Sequence, residues 1–495
     1  MAASEENVNE TREFSSDLPL EMIDMIFSYV EEIGDIHDWY RFSLVNHSWY
    51  FAVTPRLYHT FINNGDMEDR ESLWQFMRTV VEMPNLAKHV KVVNLLHCLK
   101  YSGPRSVPLA KRLCDDYLPA LKQGMYESGI DYYEPEEVLD ALRADDRRPI
   151  IAMILACVTD LESLTMHVTY NDKYLRAIAE NAAIPTTSDY FDNDRRKKFA
   201  FKQLKHLSLD TDDQPIRRLP LQVDRYQPFI YFPQLCEMTL LCTYLDPSLY
   251  SSELSDNESA IAHLTRVTID LHRETLLEDF LRFLDKVSSL TSLCVGFTST
   301  PRSEWALHGP AALWNRLIEF KSTLETLDLC GANIERNRHD TPIFCPPLKE
   351  FTRLKSLSIG TDLLLGNCRK HQAPFKLMNH VPRGLDFLGL YGDAGSDRGD
   401  WLVPDVDTQL ELLAMGREPK VIHVDGYGKR CWPVLPVDKL KIVCRQKRIE
   451  YSIERLGRGG SGSKFAESSH RHARPHNLRM EPISLQLLET SSPQD

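Results

Sequence analysis

A six-residue pattern, Leu-x-x-Leu-x-Leu with aliphatic replacements, recurs along the middle of the chain and constrains its fold more than any other feature. It starts at Leu161, Leu204, Leu235, Leu264, Leu290, Leu324, Leu354 and Leu385. From Leu204 onward the steps are 31, 29, 26, 34, 30 and 31 residues. Single matches arise by chance because leucine is common. Eight in order, narrowly spaced and apolar at all three positions, do not. Apolar residues two apart share one face of a strand, so each hexad reads as a strand with one buried face. Helix-like stretches lie between them, such as Leu276 to Val287 and Leu313 to Phe320. A strand–helix unit cannot bury its apolar face alone, so repeated units stack on their neighbours around a continuous core.

The flanks extend this pattern. Val90 to Leu95 alternates and reads as an earlier strand, and Val421 to Val424 and Leu440 to Val443 as later ones. Leu73, Phe76, Met77, Val80 and Val81 form a helical stripe stopped by Pro84. The gap before Leu161 is the widest, and Tyr132 to Glu137 reads as a loop entering another helix. The whole resembles a leucine-rich repeat, which implies an α/β solenoid with a parallel sheet and outer helices. That family places an Asn after each hexad to bond the turn. Here the matching residues are Thr169, Asp212, Thr243, His272, Thr298, Ala332, Asp362 and Asp393, so an irregular solenoid is expected.

Alternation also assigns an outward face. Its central row is Thr165, Ser208, Thr239, Thr268, Cys294, Asp328, Ser358 and Gly389. The next row is His167, Asp210, Leu241, Asp270, Gly296, Cys330, Gly360 and Tyr391. A broad surface of small residues with scattered carboxylates suits a protein segment bearing basic groups. Asp210, Asp270, Asp328 and Tyr391 are the candidate substrate-binding residues.

The stretch from Phe14 to Phe61 has a different character. Leu20, Ile23, Ile26, Phe27 and Val30 share one helix face, and Met22, Met25 and Tyr29 load a second. Trp39, Phe42, Leu44 and Val45 crowd a short second segment. Asn46 and Ser48 offer capping oxygens to a third, which Pro55 is expected to end. Three short helices loaded with large apolar groups on more than one face call for a partner. The order Leu18-Pro19, Glu21, Ile23, Ile26-Phe27, Leu44-Val45, Trp49, Pro55 and Leu57-Tyr58 resembles the F-box, with Asn46-His47-Ser48 standing where that family tends to be basic or Cys-bearing. The resemblance implies docking onto a Skp-type adaptor, and through it a cullin–RING ligase, with Leu18, Pro19, Ile23, Ile26, Leu44, Val45 and Trp49 as adaptor-binding candidates. Which of them dock and which pack is not separable from the sequence.

Other classes find little support. A formal net charge of −13 disfavours general binding to nucleic acid or anionic membrane. The eleven cysteines include no C-x-x-C pair, which argues against a zinc site or disulfide framework and for a reducing compartment. MAASEENVNE lacks the apolar core of a signal peptide, and the apolar run Ile150 to Val158 is too short to span a bilayer. Cytoplasm or nucleus is therefore the expected location. Gly457 to Lys464 approaches a phosphate-binding loop, but Ser463 separates the last Gly from Lys464. His470, His472 and His476 read as part of a solvated basic tail, and Asp194 to Lys198 as a solvated loop. No catalytic motif appears, and no cofactor or metal is expected.

The expected layout is a disordered tail over 1–13, an F-box over 14–62, a linker helix over 63–85, an irregular leucine-rich-repeat domain over 86–456 and a disordered tail over 457–495. As a whole the chain resembles fungal F-box proteins. This implies a non-catalytic substrate receptor of an SCF ubiquitin ligase, acting by proximity. A repeat scaffold working outside any ligase is the alternative, and an enzyme with an unrecognised site in the repeats is the third class.

Overall fold

The computed structural model describes residues 20–33, 36–63, 69–95, 118–128, 135–144, 146–169, 172–183, 200–211, 221–222, 226–230, 232–245, 263–272, 275–297, 309–329, 348–360, 364, 377–391, 406–416, 419–425 and 437–453. Two compact units divide at Leu57. The expectations for both tails, for Leu18 and Pro19, for Asp194 to Lys198 and for the near-phosphate loop lie outside the described residues.

The first unit holds α1 (Leu20–Ile33), α2 (Ile36–Ser43) and α3 (His47–Leu57). Glu21 occupies the first turn of α1, at the positive end of its dipole. Asn46 caps α3, its Oδ1 accepting from the Trp49 N–H at 2.9 Å. Pro55 does not end that helix. α3 runs two residues further, to Leu57, and side chains supply local bonds: Thr54 Oγ1 donates to the Tyr50 carbonyl (2.7 Å) and Arg56 Nη1 to that of Ala52 (3.3 Å).

The second unit is an α/β body built on one parallel sheet. Its strands are β1 (Thr60–Ile62), β2 (Val92–Leu95), β3 (Ser163–Val168), β4 (His206–Thr211), β5 (Leu221–Gln222), β6 (Glu237–Tyr244), β7 (Arg266–Leu271), β8 (Ser292–Phe297), β9 (Thr326–Leu329), β10 (Ser356–Gly360), β11 (Phe387–Tyr391), β12 (Val421–Asp425) and β13 (Glu450–Ile453). Their order across the sheet follows the chain, except that β5 pairs only the end of β6. All eight hexads enter strands, and every apolar hexad position is at most 2% exposed.

The sheet spans more of the chain than the hexads do. Residues 60–62, inside the span expected to be F-box, pair with β2 as β1. The segment expected to link the two parts carries α4 (Asp69–Glu82), whose Leu73, Phe76, Met77, Val80 and Val81 lie in the sheet's own core, and the one-turn α5 (Pro84–Ala87) follows it. Val421 to Val424 fall in β12 as expected. Leu440 to Val443 instead belong to a helix, Val437–Lys447. Leu440 and Cys444 are four apart and both buried, a helical spacing, and the last strand follows at β13.

Between β2 and β3 lie α6 (Leu118–Ser128), α7 (Pro135–Arg143) and α8 (Arg148–Cys157). The run Ile150 to Ala156 is the centre of α8 and is buried on every side. Among the described residues no helix is long and apolar enough to cross a membrane.

At strand entry a repeated fork of backbone bonds locks each strand to the last. The Glu162 carbonyl accepts the Lys205 N–H (2.8 Å) and the His206 N–H (3.0 Å). The Glu325 carbonyl takes Lys355 (2.9 Å) and Ser356 (3.0 Å) in the same way. At strand exit no Asn is needed at two of the positions where one was missed. The Thr169 carbonyl accepts the Tyr226 hydroxyl (2.7 Å), and the Thr243 carbonyl accepts Thr275 Oγ1 (3.1 Å) and the His272 N–H (2.7 Å).

Candidate functional site

Each unit presents one surface of interest. In the first, Phe27, Val30, Trp39, Trp49 and Val53 form a closed core with edge-on aromatic contacts, Phe27 to Trp39 at 5.3 Å and Phe27 to Trp49 at 5.7 Å. The Arg56 guanidinium lies 4.6 Å above the Phe27 ring. Ile23 and Ile26 pack against this core and are half-buried. Trp49, an adaptor-binding candidate, is 6% exposed and is therefore a core residue.

Leu44 and Val45 differ. They sit in the α2–α3 turn, 65% and 55% exposed. Beside them in sequence, the ring of Phe51, 66% exposed, stands 5.1 Å from His47 and 5.7 Å from Tyr50. Met22, Met25 and Tyr29 line an exposed stripe on α1. Of fourteen exposed large apolar side chains among the described residues, eight lie in this short unit. Surface leucines scattered singly need no explanation, whereas this unit concentrates its exposed apolar groups in a short stretch.

On the sheet, the central outward row is one unbroken register from Thr165 through Ser208, Thr239, Thr268, Cys294, Asp328, Ser358 and Gly389 to His423 on β12. The second row is interrupted. A bulge in β6 shifts the pairing between Leu240 and Thr243, so Leu241 has no register partner on β7. Cys242 at its centre has φ of 52°, the strained region for a non-glycine residue.

The four substrate-binding candidates stand at different places on the sheet. Asp210 on β4 meets the buried His167 ring, with Nε2 3.3 Å from Oδ2. Asp270 stands on β7, half-buried. Asp328 and Tyr391 are brought together: the Tyr391 hydroxyl donates to Asp328 Oδ1 at 2.9 Å across the intervening β10. Cys294 sits beside Asp328 in register. Burial, with the Asp328 charge adding to it, pushes its thiol up to about 12, so it is no nucleophile at neutral pH.

Three further outward groups escape a reading confined to two rows. Glu237 accepts from His206 (3.0 Å) and Arg266 (3.4 Å) across β4, β6 and β7, and the His206 bond holds its carboxyl below the usual range. Phe387 stacks on His423 with centroids 6.4 Å apart. His423 Nδ1 lies 2.7 Å from Ser452 Oγ. Carrying the same alternation to the hexads' third position and onto β12 would have found them. No family model and no curated protein matches the chain.

Proposed function

We propose that the chain is the substrate-recognition subunit of an SCF (Skp–cullin–F-box) ubiquitin ligase. Residues 20–57 form the F-box that docks a Skp-type adaptor, and the sheet with its helices forms an irregular leucine-rich repeat that holds a protein substrate. The observation that carries this reading is the surface of the first unit. Positions where the F-box resemblance places apolar residues divide into a closed aromatic core at Trp49 and exposed side chains at Leu44 and Val45. The chain order of the parallel strands and the buried hexads support the repeat. In this reading the chain does no chemistry of its own. It raises the effective concentration of a substrate lysine near a conjugating subunit, in the cytoplasm or the nucleus.

Co-purification with a Skp-type adaptor tests this directly. Leu44→Arg/Val45→Arg changes two exposed side chains, so the fold should be kept, with a stability change within about 0.5 kcal/mol per site. Adaptor capture is expected to fall at least tenfold while the circular dichroism melt stays put. If folded wild-type chain captures no adaptor, the ligase reading fails and a repeat scaffold outside any ligase remains.

A further inference from the structure

Of the fourteen exposed large apolar side chains among the described residues, six lie outside the first unit, and four of these gather at one place. Met378, Leu412, Met415 and Ile442 stand on the last three described helices, Leu377–His380, Val406–Met415 and Val437–Lys447. The middle helix packs against both of the others. Each of the two longer helices already has a face in the sheet's core, at Leu410 and Leu413 and at Leu440 and Cys444. Residues two apart on a helix do not share a face, so Ile442, midway between Leu440 and Cys444, is turned away from that core. The same helix is basic. Residues 437–450 carry five Lys or Arg and two acidic residues, in a chain of net charge −13. Lys441 and Arg445 are four apart, a like-charge pair that disfavours a helix. Both are exposed, as is Arg448, and none of the three has an ion pair among the described residues. The helix dipole accounts for cations in the last turn but not for Lys441. Arg448 follows the helix at φ 60°, in the left-handed region that Gly occupies without strain, so a cation stands where the backbone favours Gly.

We infer that the exposed face of the helices Val406–Met415 and Val437–Lys447 docks an acidic amphipathic helix of a partner protein. Leu412, Met415 and Ile442 supply the apolar anchors, and Lys441, Arg445 and Arg448 the charge. Apolar side chains beside unpaired cations are complementary to a helix whose apolar stripe is edged by Glu and Asp. A bilayer would face the net negative charge of the whole chain, whereas a single helix meets mainly the cations within a Debye length, about 8–10 Å at physiological salt. This face belongs to the helix layer and not to the outward strand rows, and it does not rest on the receptor reading above.

The test is fluorescence anisotropy, on the full chain, of a labelled helical peptide of about 20 residues with Leu at three- and four-residue steps and Glu and Ala between. It is expected to bind, more weakly as salt rises, and the same peptide with Gln for every Glu at least tenfold less. Lys441→Glu/Arg445→Glu and Ile442→Ser are each expected to weaken binding about tenfold. All three side chains are exposed, so the melting curves should match the wild type. Arg448→Gly parts binding from stability. It should weaken binding about threefold while the melting temperature holds or rises, because Gly relieves the positive φ. Lys122→Glu, the same charge change at an exposed position on α6, should leave binding unchanged. Equal binding of the Glu and Gln peptides, equal weakening by Lys122→Glu, or no binding by folded wild type would each overturn the assignment. Capture by phosphatidylserine vesicles but not by the peptide would also overturn it and give the face to a membrane. Dimerisation in sedimentation that Ile442→Ser abolishes, without peptide binding, would overturn it in favour of a second copy of this chain.

Discussion

Thr243, the last residue but one of β6, is fully buried, and its hydroxyl makes no hydrogen bond among the described residues, although its carbonyl accepts two. A buried hydroxyl without a partner costs about 1–3 kcal/mol, so removing it at constant shape should help. Thr243→Val is expected to raise stability by about 1 kcal/mol, read as a higher urea midpoint at unchanged m-value. Asp172 is a costlier device. It caps α9 (Lys173–Ala183), with Oδ1 accepting from the Leu175 N–H at 3.0 Å. Burial pushes its carboxyl from 3.8 up to about 6 against the opposing pull of that bond and of Arg148. The folded chain therefore binds this proton more tightly than the unfolded one. Its contribution is greatest below about pH 4 and is lost as pH rises through about 6. Asn caps as well as Asp and does not ionise. Asp172→Asn should be the more stable form at pH 7, and its advantage over wild type should vanish by about pH 4. An advantage that stays flat with pH would remove the burial account.

At the scale of elements, the helices between β2 and β3 meet at a glycine. Gly124 on α6 packs so closely that a Cβ would lie 3.0 Å from Met153 Sδ of α8 and 3.2 Å from Val81 Cγ2 of α4. A branched side chain has no room there. Gly124→Val is expected to cost about 1–3 kcal/mol by overpacking, measured by chemical denaturation. Gly124→Ala should cost less, because the Met153 thioether can swing. This junction was not legible in the sequence, since nothing local says which glycine faces a neighbouring helix. The strands were legible because the two-residue period and the recurring step are both local facts. At Leu440 the two periods conflict over only four residues, and the helical one won because Leu440 and Cys444 both find the core. The outward rows show the same limit. Alternation placed Asp328 and Tyr391 on one face, but not the bond that spans β10, where the small residues Ser358 and Gly360 stand between the two strands.

For the whole molecule, the separation of two apolar clusters matters most. Phe27, Val30, Trp39, Trp49 and Val53 form one core, and the hexads with α4 and α8 form the other, with no residue in common. Composition could not show this, because Trp49 and Leu44 are equally apolar and only packing makes one a core group and the other a surface. Separate cores imply separable losses. A unit of this size has little stability to spare, and truncating a buried Trp costs about 3–5 kcal/mol. Trp49→Ala should therefore unfold residues 20–57 and leave the sheet intact. Amide exchange is expected to lose protection over α1–α3 while β3 to β11 keep theirs. Adaptor capture should vanish in the same variant. Simultaneous loss of protection in both regions would show that the two cores fold as one, and the division of the chain into a docking unit and a binding sheet would have to be abandoned.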